Sequence, residues 1–165
     1  EVALEALDGR ADVWRSYAET LLAQHDWATA DLALARAIAL EPKNPDGHLM
    51  TALARRAQGD MPGAFAALDD ALAQGAGVGA RRAKALWLIA AGRSGEALLE
   101  ADLVLKESPG DAAALWTRAR AQLARGLPAK AVLELSPLTA PARLDFSALA
   151  ARRLRDTLNS ETASK

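Results

Sequence analysis

Between Ala11 and Asn44 apolar residues recur at helical spacing in two runs separated by a short polar break. Trp14, Tyr17, Ala18 and Leu21 form one stripe, and Ala30, Leu34 and Ala37 form a second. A 3.6-residue period of this kind predicts amphipathic helices. The pair His25-Asp26 interrupts the pattern where a tight helix-helix turn would sit. Pro42 ends the second run, because proline has no amide hydrogen to donate and biases the residue before it away from helical angles.

The same pattern returns along the chain. The turn position His25 maps onto Gly59, Gly92 and Gly126, and Ala30 maps onto Ala64, Ala97 and Ala131. Both series step by 34, 33 and 34 residues. That period, joined to Trp-x2-Tyr-Ala-x2-Leu, then Ala-x3-Leu, then Pro, resembles the tetratricopeptide repeat. The resemblance covers about residues 11 to 145 and is strongest in the first copy. It implies an all-α fold, a right-handed superhelix of antiparallel helix pairs, and a role in holding other proteins.

Four pairs are expected, at 11–44, 45–77, 78–111 and 112–145. Residues 1–10 read as a lead-in or the end of an upstream helix. Asp26, Asn44, Ser94 and Asp111 stand where second or first helices begin, and such side chains cap helix amides, while Gly59-Asp60 makes the turn of the second copy. The second copy ends in AQGAGVGA, which predicts a looser connection, and Pro137 cuts the last second helix short. Residues 146–159 place Phe146, Leu149, Ala150, Leu154 and Leu158 on one face, the pattern of a helix that caps a repeat stack. Residues 160–165 read as a disordered tail.

Composition narrows the function classes. Hydrophobic residues make up 51% of the chain but aromatics only 4%, so alanine and leucine carry the apolar content and favour helix. A chain of 165 residues buries roughly 70% of its unfolded surface, so a core forms without cysteine, of which there is none. The net charge of -1 offers no general attraction to phosphate, which argues against nucleic acid. No apolar run approaches the roughly 20 residues that span a bilayer, so no membrane contact by this segment is expected. The chain begins at Glu1 rather than Met and reads as a piece of a longer protein, cytoplasmic or periplasmic. Its alanine and arginine bias suggests a bacterial source.

Catalytic chemistry finds no footing. His25 and His48 lack cysteine or carboxylate partners at ligand spacing, Asp69 and Asp70 read as a solvated face, and no phosphate loop or nucleophile motif occurs. No metal, cofactor or enzyme activity is expected.

The resemblance implies a ligand site on the concave face, lined by a second stripe on each first helix. In this sequence that stripe is Arg15, Glu19 and Leu22; Leu49, Leu53 and Arg56; Arg82, Leu86 and Ile89; and Trp116, Arg120 and Leu123. An amphipathic helix or extended peptide with acidic flanks would dock on Leu53, Leu86, Ile89 and Trp116 and meet Arg56, Arg82 and Arg120. A clamp for a C-terminal carboxylate is not expected, because of Arg15, Glu19, Met50, Gly79 and Ala83 only Arg15 fits that pattern. The expected function is a noncatalytic interaction scaffold or assembly module. The alternative is a regulatory or substrate-recruiting domain of a larger enzyme, and self-association through the end repeats is a third reading.

Overall fold

The structure, a computed structural model, describes residues 9–138 and 146–163. Most of the lead-in and the end of the fourth copy lie outside them. Among the described residues the chain is helical with no strand: α1 (Ala11–Ala23), α2 (Trp27–Leu40), α3 (Pro45–Ala57), α4 (Met61–Ala73), α5 (Val78–Ala90), α6 (Ser94–Glu107), α7 (Ala112–Ala124), α8 (Pro128–Leu135) and α9 (Phe146–Ala163). A 3-10 turn, Ser136–Leu138, follows α8, where Pro137 was expected to stop it. The chain divides into two compact units, 1–80 and 81–165.

Every expected first-to-second turn is present and closes in the same way. His25, Gly59, Gly92 and Gly126 sit at φ of 60°, 82°, 74° and 73°. The next residue in each turn, Asp26, Asp60, Arg93 or Leu127, donates its amide to the carbonyl of Leu21, Arg55, Leu88 or Gln122. This six-to-one bond around a left-handed residue satisfies carbonyls that the helix end would otherwise orphan. The glycine-rich stretch after α4, expected to be loose, ends the same way: Gly75 has φ 92° and Ala76 N–H reaches Ala71 O at 2.9 Å.

Helix starts follow the short polar side chains. Asp26 accepts from Thr29 N–H (3.2 Å), Asn44 from Asp46 N–H (3.0 Å), Asp60 from Gly63 N–H (3.0 Å) and Asp111 from Ala114 N–H (2.9 Å). Ser94 does not cap. It is the first residue inside α6, and Arg93 precedes it, with its guanidinium on Glu96 at 2.6 and 2.7 Å.

Small residues set the helix spacing. Ala18, Ala52, Ala85 and Ala119 on first helices and Ala30, Ala64, Ala97 and Ala131 on second helices are all at most 1% exposed. Side chains of one carbon let two backbones approach closely. In the first unit Ala18, Leu21, Ala30, Ala33 and Leu34 form a core that Ala54 of α3 joins, so α3 packs onto the preceding pair. Burying Leu34 there contributes about 1.5–3 kcal/mol.

In the second unit Leu115, Ala119, Ala131, Leu135 and Leu138 pack with Ala151 and Leu158 of α9. The inner face of α9 is therefore Ala151, Leu154 and Leu158, rotated from the expected one, and Leu149 is 47% exposed. Ala151 is fully buried at that contact, where a one-carbon side chain permits close approach. The side chain of Phe146 lies outside the described residues. The helix also runs to Ala163, past the expected start of a disordered tail at Ser160.

Charge closes the pairs of this unit. Glu100 of α6 binds Lys84 (2.6 Å) and Arg81 (2.9 Å) of α5, and Glu134 of α8 binds Arg118 of α7.

Candidate functional site

The second stripe of the first helices gathers around two hollows, one in each unit. Residues one turn apart on a helix lie on the same side, so two successive first helices can each offer a short row to a shared depression. Arg15 and Glu19 of α1 and Leu49 and Leu53 of α3 line a hollow of about 430 Å³ together with Asp12, Ser16, Asp46 and Met50. Leu86 and Ile89 of α5 and Trp116 and Arg120 of α7 line another of about 160 Å³, with Ala90 and Thr117. Leu53 and Leu86 are 55% and 39% exposed, large apolar side chains left in water at these openings.

The two hollows differ in charge. Arg15 gives its guanidinium to Glu41 at 2.7 Å, and Glu41 also accepts from Asn44 Nδ2 at 2.8 Å. These contacts, Arg15 first and Asn44 second, hold the Glu41 carboxyl below its ordinary range. With Arg15 occupied, the first hollow presents Glu19 and Asp46. Asp12 is held by Arg10 at 2.6 Å, which lowers its pKa. The second hollow has Arg120 and no carboxylate in its lining.

No protein-family model matches the sequence, and no curated protein does. Several solved structures share the fold. A tetratricopeptide repeat protein from Parabacteroides merdae is 17% identical with a TM-score of 0.77, over 92% of this chain and 60% of that one. MamA from Desulfovibrio magneticus RS-1, residue 41 to its end, is 18% identical with a TM-score of 0.71, over 93% and 92%. The pilF protein of Pseudomonas aeruginosa is 15% identical with a TM-score of 0.69, over 93% and 69%. The fold is the tetratricopeptide repeat. At these identities the likeness is one of fold.

Within the tetratricopeptide fold the remaining expected residues have other placements. Arg82 is half-buried and bound to Asp111 at 2.8 Å, the residue that caps α7. Arg56 is exposed on α3 and lines neither hollow. Leu22 and Leu123 pack against the cores, and Trp116 does so while also lining its hollow. Asp12, Ser16 and Asp46 were not among the expected groove residues, although each lies one turn from a stripe position and carries the charge or hydroxyl of the rim.

Among the described residues no group of three histidines or carboxylates could hold a metal ion, and no helix is long and apolar enough to cross a membrane.

Proposed function

We propose that this chain is a noncatalytic interaction scaffold or assembly module that holds a peptide or helix of another protein against its first helices. The observation that carries this reading is the exposure of Leu53 and Leu86 beside hollows built from the second-stripe residues of successive first helices. An apolar patch ringed by a few polar groups is the surface a docked segment would cover. Trp116 is the anchor, since tryptophan concentrates binding energy when it is partly desolvated.

The test is a peptide array read with the wild type and with two variants, Trp116→Ala plus Leu86→Ser, and Leu53→Ser, each checked for folding by thermal unfolding. Loss of the same peptides from a folded variant supports the reading. Undiminished binding by both variants overturns it and moves the site to the second helices, where Leu32, Leu99 and Leu133 stand exposed at one register.

A further inference from the structure

We infer that the hollow between α5 and α7 selects a short acidic segment of a partner protein carrying one side chain the size of leucine or phenylalanine. This rests on the docking reading above and names the ligand chemistry of one of its hollows.

Size comes first. The hollow measures about 160 Å³, and an apolar cavity of about 150 Å³ takes up benzene. Its walls are Leu86, Ile89, Ala90 and the Trp116 ring, so the inserted group is apolar. Thr117 adds no polar contact, because its hydroxyl is turned into α7 and bonds Ala113 O at 2.8 Å.

Charge comes second. Arg120 is exposed at this hollow and makes no ion pair among the described residues. Of the three other arginines of the same stripe, Arg15 and Arg82 are held by Glu41 and Asp111, and Arg56 lines neither hollow. Acid selection therefore falls on Arg120. The hollow between α1 and α3 adds Glu19 and Asp46 to an Asp12 and an Arg15 that are each already paired, and it repels the same segment. A ligand carboxylate beside the inserted side chain meets a complementary charge in one hollow and a like charge in the other, which is how electrostatics sets specificity.

The experiment titrates the whole chain with three synthetic peptides, a central leucine flanked by glutamates, by lysines or by serines, followed by calorimetry. The glutamate peptide is expected to bind about fivefold tighter than the serine peptide, the upper range for a solvent-exposed ion pair. Arg120→Glu is expected to reverse the order in favour of lysine, and Glu19→Lys to leave it unchanged. Trp116→Ala is expected to abolish binding of all three. Equal binding of the three peptides, or preference for lysine by the wild type, overturns the acid selection. If Trp116→Ala still removes binding in that case, the docking reading stands alone. A wild-type preference for lysine that Glu19→Lys turns into one for glutamate assigns the selection to the other hollow and overturns the inference. Binding that ignores Trp116→Ala, or no binding at all, removes both.

Discussion

His25 holds in the first turn the left-handed backbone that Gly59 holds in the second, at φ of 60° and 82°. The next residue closes both turns with an amide bond back to the helix, from Asp26 to Leu21 and from Asp60 to Arg55. A side chain disfavours this conformation, so the two turns reach one geometry at different cost.

The glycines therefore give a clean measure of that cost. A Cβ added at Gly92 or Gly126 would meet nothing within 4 Å, so only backbone conformation resists it. Gly92→Ala or Gly126→Ala is expected to lower stability by about 1–2 kcal/mol. His25→Gly should raise it by less than that, because the edge contact of His25 with Trp27, centroids 5.2 Å apart, is lost. Midpoints of urea unfolding measure both.

Ala64 and Ala97 are fully buried at the contact positions of α4 and α6. Replacing either with leucine inserts volume where two backbones approach. A loss of roughly 1–3 kcal/mol is expected, read as a lower thermal midpoint. A variant as stable as the parent would show that the alanines are not spacing the helices.

Asp111 does two things, capping α7 and holding Arg82. Asp111→Ala is expected to cost about 1–2 kcal/mol through the lost cap. Asp111→Asn keeps an oxygen for the Ala114 amide and should recover most of that loss. If asparagine is as damaging as alanine, the ion pair with Arg82 carries the stability instead of the cap.

Acid should weaken the fold through a few carboxylates. Asp60 is held below its ordinary pKa, chiefly by the Gly63 amide and then by the Arg55 guanidinium, and Glu96 is held down chiefly by Arg93. A carboxyl whose pKa is lower in the folded state stabilises above its unfolded value, about 3.9 for Asp and 4.3 for Glu, and loses that contribution as pH falls through the folded value. The thermal midpoint should be level from neutral pH to about 5 and fall below about 4. Asp60→Asn should flatten that fall, since it retains the cap and removes the charge.

The fold was legible because a period is a global property of the chain. One degraded copy, with His48 and Thr51 where large residues stand in the first, does not disturb landmarks that repeat in the others. Eight residues of the second stripe line the two hollows. What escaped the pattern depends on partners distant in sequence. Arg15 and Arg82 look like free groove charges until Glu41 and Asp111 come beside them, 26 and 29 residues along the chain. Trp87 is buried, yet Thr20, Ala54 and Ala121 hold its place in the other copies. In α9 an alanine faced the core where the eye follows leucines.

Glu100 and Glu134 occupy the same register in the third and fourth copies, opposite Lys84 and Arg118. The first two copies hold Tyr17 with Ala33 and Thr51 with Ala67 at those places. Sliding α5 against α6, or α7 against α8, by one turn would pull opposite charges apart. Those two hairpins thus carry at this register an alignment key of paired charge, where the first two hold uncharged side chains.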